Sequence, residues 1–182
     1  MSELNRPILE SYWVEPGRFL AGEYPAAAFV GRTRERLNRF LESGINTFID
    51  LTFPHELPPY RPLLLEQASL RDIDVQYKRF SIIDRSIPIT GLMTAILDAV
   101  DNALLDGRNV YVHCWGGIGR TGTTVGCHLV RRGLTGEQAL AQLAKWWQDV
   151  PKSVYNPRSP ETDRQVEYIL NWDESPSSPG DG

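Results

Sequence analysis

The sequence predicts an α/β fold with a largely parallel, mixed β-sheet. Two observations support this prediction. Short β-branched and aromatic runs alternate along the chain with longer segments in which apolar residues recur at helical spacing. Glycine, proline and helix-capping residues separate most of these segments. With 182 residues and ordinary hydrophobic and charged fractions of 41% and 23%, the chain is long enough for one domain with a substantial core.

The first half of the chain contains five predicted elements. Residues 1–17, with Pro16 and Gly17, are interpreted as an extended lead-in before the domain. Expected next are a strand at 18–22, a helix at 33–43, a strand at 45–52, a helix at 63–70 and a strand at 75–83. Gly44 stands where a glycine commonly ends a helix. Residues 84–88 are predicted to form a loop after the last of these strands.

The second half begins with a helix and a short strand and ends in three helices. Expected in order are a helix from Thr90 that ends at Gly107, a strand at 110–112, and helices at 119–132, at 135–147 and from Ser159-Pro160 onward. Thr90 is the predicted N-cap of the first of these helices, and 135–138 has a capping-box pattern. One domain is predicted over 18–172, followed by a disordered tail at 173–182.

The most informative stretch joins a predicted strand to a predicted helix through a glycine-rich loop. It reads His113-Cys-Trp-Gly-Gly-Ile-Gly-Arg-Thr121. The first amides of a helix have no partner within the helix and carry the positive end of its dipole. Glycines allow successive loop amides to converge on one centre. This order of elements predicts a binding site for a tetrahedral dianion such as phosphate.

Two side chains of this stretch add chemistry to the anion site. Arg120 offers a planar fork of donors that can bind two phosphate oxygens at once. Cys114 is expected at the bottom of the site, where the field that binds phosphate also favours thiolate over thiol. Thr121 would place a hydroxyl near that sulfur. A single buried cysteine is more often a small apolar side chain, but the glycines, His113 and the strand-to-helix context favour the nucleophile.

The pattern His-Cys-x5-Arg-Thr resembles the signature loop of the cysteine-dependent protein tyrosine phosphatases. Chain length and the loop sequence are most similar to the small, atypical dual-specificity branch of that superfamily, over about 18–172. The resemblance implies helices on both faces of the sheet and a metal-independent hydrolase, without a cofactor, that forms a phosphocysteine intermediate. The loop residues implied to bind phosphate are Trp115, Gly116, Gly117, Ile118, Gly119 and Arg120.

Phosphoryl transfer to a cysteine also requires an acid that protonates the leaving oxygen. Asp84 directly follows a predicted strand, on a loop stiffened by Pro88, and the family carries its acid on a movable loop at a similar distance before the cysteine. Asp84 is therefore the predicted general acid, with a surface turn residue as the alternative. Asp50, inside a predicted strand, is the second candidate.

Two further residues are assigned supporting roles. His113 is expected to hold the loop in shape rather than to act as a base. Gln165 lies in a segment that resembles a late family segment whose glutamine can order the hydrolytic water, and its alternative is an exposed helix position. Residues 53–57 occupy the position of a substrate-recognition loop by analogy. Trp115 and Ile118 replace the lysines that phosphoinositide-directed relatives tend to carry, which disfavours a lipid headgroup.

Composition limits the partners and the compartment. The formal net charge of −4 argues against a general nucleic-acid binder. Membrane-spanning apolar runs and a signal-peptide pattern are both missing from the sequence. Cys114 and Cys127 are separated by a predicted helix that would keep them beyond disulfide reach, and cysteines and histidines lack zinc-site spacing. We therefore expect a cytoplasmic monomer without a metal, acting on a phosphoprotein, with no membrane or nucleic-acid partner.

Several functions remain open at the level of sequence. The favoured one is hydrolysis of phosphotyrosine, with or without phosphoserine and phosphothreonine, in proteins. A catalytically weak module that binds phosphorylated residues is the first alternative, although binding needs neither a nucleophile nor an acid. The others are a phosphatase acting on a non-protein phosphomonoester and a different cysteine-loop enzyme, a sulfurtransferase or an arsenate reductase.

Overall fold

A five-stranded sheet organises residues 5–174, the part of the chain described by this computed structural model. The strands are β1 (Ser11–Glu15), β2 (Phe19–Gly22), β3 (Thr47–Asp50), β4 (Gln76–Arg79) and β5 (Val110–His113). Their order across the sheet is β1-β2-β5-β3-β4. Only β1 runs antiparallel to its neighbour, and the other three pairings are parallel. The predicted mixed, mostly parallel sheet is confirmed.

Six α-helices and one short 3₁₀ helix surround the sheet within the described residues. They are α1 (Val30–Glu42), α2 (Arg61–Ser69), α3 (Thr90–Leu105), α4 (Gly119–Arg131), α5 (Gly136–Gln148), the 3₁₀ turn Pro151–Val154, and α6 (Asp163–Leu170). The helix at 135–147 begins with the predicted capping box, in which Thr135 and Gln138 bond each other's backbone amides.

Two apolar clusters cover the two faces of the sheet. Side chains alternate between faces along each strand, so Leu20 and Tyr111 join a cluster with α1 and α2. Their neighbours Phe19 and Val112 join a larger cluster with α3, α4, α5 and α6. Helices therefore lie on both faces, as the family resemblance implied. Among the described helices, none has both the length and the apolar character needed to cross a membrane.

The predicted extended lead-in contains a strand, β1, which is the edge strand of the sheet. β1 pairs with β2 through a short turn in which the amide of Arg18 donates to the carbonyl of Glu15. Tyr12 on β1 is buried and stacks with Trp146 of α5. The sequence does not predict this strand, because β1 has only five residues and lies between Pro7 and Pro16.

Two helix starts also differ from prediction, and most of the predicted tail lies outside the described residues. Ile89 is the N-cap of α3, and Thr90 is its first helical residue. α6 begins at Asp163 behind a Thr162 cap, rather than at 159–160, because the capping box of Thr162 and Gln165 fixes its start. The predicted tail at 173–182 lies outside the described residues except for 173–174, where Glu174 accepts hydrogen bonds from the guanidinium of Arg131.

Candidate active site

The buried ring of His113 holds the loop that follows β5. Its Nδ1 donates to the carbonyl oxygen of Cys114 at 3.1 Å, so its Nε2 accepts from the hydroxyl of Tyr60 at 2.7 Å. Burial lowers the pKa of His113, which keeps the ring neutral. The ring is hydrogen-bonded on both sides and fixes the start of the loop.

The loop itself places the thiol of Cys114 directly before the N-terminus of α4. Its sulfur lies 3.1 Å from the hydroxyl oxygen of Thr121, which donates to it. Gly117 has a φ of +75°, and a Cβ there would lie 2.5 Å from the backbone of Gly22 in β2, so only glycine fits. The unpaired amides of α4 begin at Gly119. The predicted order of strand, loop and helix is therefore present, with the thiol at its centre.

The guanidinium of Arg120, in the first turn of α4, is buried, with only 1% of the side chain exposed. It donates to both carboxylate oxygens of Glu56, from Nη1 at 2.9 Å and from Nη2 at 2.6 Å. Nη1 also donates to the carbonyl of Ile82 at 3.1 Å. The buried Nε has no hydrogen-bond partner within residues 5–174. Glu56 therefore fixes the plane of the guanidinium while leaving one donor for a ligand.

Asp84 shares a small cavity with the cysteine and the arginine. The cavity has a volume of about 180 Å³, and its lining includes Asp84, Cys114 and Arg120. An oxygen of the Asp84 carboxylate lies 3.0 Å from Nη2 of Arg120, and about half of this side chain (52%) is exposed. The Asp84 carboxylate therefore lies beside the guanidinium of Arg120, on the solvent-exposed side of the cavity.

Asp50, the second candidate acid, is buried in the sheet. It ends β3, is fully buried, and accepts hydrogen bonds from Thr52, Tyr77 and Arg79. Burial alone would raise the pKa of Asp50, but these hydrogen bonds lower it. Its oxygens are occupied, and it does not line the cavity of the cysteine. Of the two candidate acids, only Asp84 lines the cavity that contains Cys114.

Gln165 and Glu161 lie together over the start of α4. Gln165 is fully buried, in contrast to the exposed alternative: its Oε1 accepts from the Thr162 amide and its Nε2 donates to the carbonyl of Ser86. Glu161 lines the cavity, and its carboxylate lies 2.5 Å from where a Cβ on Gly119 would be. Glu161 therefore presents a carboxylate to the cavity, while the Gln165 amide is bonded within the protein.

Sequence reasoning missed two carboxylates of the site, Glu56 and Glu161. Glu56 lies 64 positions before Arg120, so no local spacing pairs them. The only signal was that 53–57 follows a strand and so reaches the same edge of the sheet as the cysteine loop. Within residues 5–174, no group of three or more histidine, cysteine, aspartate or glutamate side chains could hold a metal ion.

The comparison with protein families agrees with this geometry. The model of the family described as "Swiss Army Knife protein, DSP-PTPase phosphatase domain" (PTP-SAK) matches residues 10–167, and the chain belongs to this family. The match begins at residue 10, directly before β1, and therefore includes this strand. The described fold and site are thus those of a phosphatase domain from the dual-specificity branch of the protein tyrosine phosphatase superfamily.

Individual relatives are more distant. The chain is 30% identical over 141 residues to protein tyrosine phosphatase domain-containing protein 1 of Mus musculus, covering 71% of this chain and 18% of that protein. It is 28% identical over 102 residues to phosphatidylinositol 3,4,5-trisphosphate 3-phosphatase and protein-tyrosine-phosphatase PTEN1 of Arabidopsis thaliana, covering 55% and 25%. The chain therefore spans a quarter or less of the length of these two curated relatives.

Solved structures share the fold. Tk-PTP in its active form superposes with a TM-score of 0.65 at 23% identity, covering 88% of this chain and 93% of that one. Kinase associated phosphatase superposes with a TM-score of 0.63 at 21% identity, covering 83% of each chain. These likenesses confirm the predicted phosphatase-like α/β architecture.

Proposed function

We propose that the protein hydrolyses phosphotyrosine in protein substrates through a phosphocysteine intermediate on Cys114. The observation that carries this proposal is one cavity lined by a thiol, a buried arginine and a carboxylate: Cys114, Arg120 and Asp84. A nucleophile, a phosphate ligand and an acid in one cavity are the parts that phosphomonoester hydrolysis requires.

In the first step, the thiolate of Cys114 attacks phosphorus and the bond from phosphorus to the tyrosyl oxygen breaks. Asp84 gives its proton to that oxygen as it leaves. Arg120 and the loop amides stabilise the charge on the equatorial oxygens. The free Nε of Arg120 is one donor for the phosphate. A bidentate grip also needs Nη2, so phosphate must displace Asp84 from its 3.0 Å contact with that nitrogen.

In the second step, water attacks the phosphocysteine and the sulfur–phosphorus bond breaks. The carboxylate of Asp84, deprotonated by the first step, accepts the proton of the water. The electron pair returns to the sulfur of Cys114, where the hydroxyl of Thr121 donates to it. Inorganic phosphate then leaves, and the enzyme returns to its starting state.

The charge around the cavity favours a substrate with a single phosphate. Asp84, Glu161 and Arg85 line the cavity with Arg120; Arg85 lies 3.6 Å from the Glu161 carboxylate, and Arg120 is bonded to Glu56. Both arginines that line the cavity are therefore already paired with carboxylates, which leaves neither of them unpaired for an additional phosphate group. Proteins of this fold have been solved both with phosphotyrosine, as TpbA of P. aeruginosa, and with PI(5)P, as PTPMT1. The fold therefore does not decide between these substrates. The charges around the cavity do, because a phosphoinositide or an inositol pyrophosphate carries additional phosphate groups, and they support the phosphoprotein.

The test is phosphate release by the purified protein from p-nitrophenyl phosphate, a phosphotyrosyl peptide, a phosphoseryl peptide and PI(5)P vesicles, each with and without a chelator. We expect hydrolysis of the first two, unaffected by the chelator and absent in Cys114→Ser. Cys127→Ser is the matched control, because Cys127 is fully buried away from the cavity. Faster release from PI(5)P than from the phosphotyrosyl peptide would reverse the substrate assignment. Binding of the peptide without any turnover would support the binding module instead.

A further inference from the structure

A second cavity adjoins the active site across the side chain of Trp115. It has a volume of about 280 Å³ and is lined mainly by Tyr24, the three alanines at 26–28, Leu57, Pro58 and Trp115. We name it the Trp115 groove. Trp115 follows the nucleophile in sequence, lines both cavities and is 57% exposed. Large aromatic side chains presented in this way are typical anchors of binding sites.

The two charged side chains that line the Trp115 groove, Glu23 and Lys152, are paired with each other. Glu23 pairs with Arg36 at 2.6 Å through one carboxylate oxygen and with Lys152 at 2.5 Å through the other. The ammonium of Lys152 also donates to the carbonyl of Gly116 in the cysteine loop at 3.2 Å. The groove therefore offers apolar walls and paired charges, which suits an apolar ligand better than a charged one.

The walls of the groove are tied to the active site. The amide of Tyr24 donates to the carbonyl of Trp115 at 2.8 Å, and its hydroxyl donates to the carbonyl of Pro58 at 2.8 Å. Pro58 follows the loop that carries Glu56, the partner of Arg120. A ligand in the groove would therefore lie at a fixed distance from a phosphate held by Arg120.

We propose that the Trp115 groove binds an apolar side chain of the phosphoprotein substrate, close in sequence to the phosphorylated residue. This inference rests on the proposed function and specifies its substrate. The groove is smaller than the roughly 300–1,000 Å³ of sites for whole small molecules, which fits one or two side chains. A peptide extended across the site presents alternate side chains to the same surface, so one can enter each cavity.

The test compares phosphotyrosyl peptides that are identical except for leucine or serine at each position near the phosphotyrosine in turn. We expect at least one position where leucine raises kcat/KM about 10-fold or more, the scale expected when a large aliphatic side chain is buried. Ala28→Trp fills the groove and should abolish this preference. The matched control is Val30→Trp, two residues further and outside the groove, which should keep it.

Hydrolysis of p-nitrophenyl phosphate separates this inference from the function on which it rests. This substrate is too small to reach the groove, so both variants should match the wild-type protein on it. Unchanged hydrolysis of p-nitrophenyl phosphate also shows that the variants are folded. If Ala28→Trp hydrolyses this substrate more slowly than the wild type, the smaller substitution Ala28→Leu takes its place. Two results would overturn this inference and leave the proposed function standing. In the first, the wild type hydrolyses p-nitrophenyl phosphate but shows no leucine preference among the peptides. In the second, the leucine preference persists in the variant whose groove is filled. Failure to hydrolyse any phosphomonoester would remove the proposed function and this inference together.

Discussion

Arg120 and Glu56 are joined by two hydrogen bonds, Nη1 to Oε2 at 2.9 Å and Nη2 to Oε1 at 2.6 Å. Burial alone would raise the pKa of Glu56, but the hydrogen bonds from Arg120 and from the Phe53 amide lower it. Glu56 is thus held as the carboxylate that orients the guanidinium. The pair links the loop after β3 to the first turn of α4, two segments that each contribute to the active site.

Glu56→Gln should lower kcat/KM for p-nitrophenyl phosphate by about 10–100-fold, the equivalent of one charge-assisted hydrogen bond. The amide keeps the shape of the side chain but faces Arg120 with one donor in place of an acceptor, so the guanidinium loses its orientation. Glu66→Gln is the matched control, because Glu66 forms an exposed ion pair with Arg34 far from the cavity. Wild-type kinetics in Glu56→Gln would show that Arg120 does not need this partner.

Asp84→Asn tests the general acid through the leaving group. The variant should lose about 10²–10⁴-fold in kcat/KM with a phosphotyrosyl peptide, the usual contribution of general-acid catalysis. With p-nitrophenyl phosphate the loss should be much smaller, because nitrophenolate leaves without protonation. Equal losses on both substrates would indicate that Asp84 shapes the site without transferring a proton. Glu161, the other carboxylate at the cavity, would then be the candidate.

The two cysteines should differ sharply in alkylation. Cys114, although only 3% exposed, lines the active-site cavity, whereas Cys127 is fully buried in α4 outside that cavity, and burial raises the pKa of its thiol. Iodoacetamide near neutral pH should therefore label Cys114 first, and phosphate or vanadate should protect it. Peptide mapping by mass spectrometry measures both rates. Faster labelling of Cys127, or no protection by vanadate, would contradict the assignment of Cys114 to the anion site.

A buried histidine should make stability depend on pH. Burial lowers the pKa of His128 to about 4, although Asp101 lies 3.8 Å away. In the unfolded chain this pKa is about 6.5. As the pH falls from about 6.5 to about 4, the unfolded chain binds a proton that the folded protein does not, so stability present above pH 6.5 is lost.

His128→Leu removes this dependence. Between about pH 7.5 and pH 5, the variant should lose about 2 kcal/mol less of its free energy of unfolding than the wild type, as measured by urea denaturation. The remaining slope includes His113, whose pKa is also lowered by burial. An identical slope in wild type and His128→Leu would refute the buried, neutral state of His128.

Most of the fold follows from local sequence signals. Alternating strands and helices, the Thr135 capping box and the glycine-rich turn at 116–119 are each encoded within a few residues. β1 was missed because its identity depends on pairing with β2, and its five residues carry no strong alternation of their own. The start of α6 was misplaced because two capping patterns, at 159–160 and at Thr162, compete within a few positions.

In the candidate site, too, local sequence predicts some residues and misses others. Cys114, Arg120 and Thr121 lie within one loop and one helical turn, so their spacing predicts their proximity. Contacts between distant segments were not predictable: Glu56 reaches Arg120 from the loop after β3, and Glu161 reaches the cavity from the segment before α6. Only the packing of the sheet edge and of α6 against α4 brings these carboxylates to the cavity.

The central claim, that Cys114 carries the phosphoryl group, is tested most directly by trapping the intermediate. The wild-type protein is mixed with p-nitrophenyl phosphate, quenched in acid during turnover and mapped by mass spectrometry, with Cys114→Ser in parallel. The account predicts one phosphoryl group on Cys114 in the wild type. It predicts none in Cys114→Ser, which should still bind vanadate because Arg120 and Glu56 remain. A phosphoryl group on another residue, or turnover by Cys114→Ser, would contradict the account.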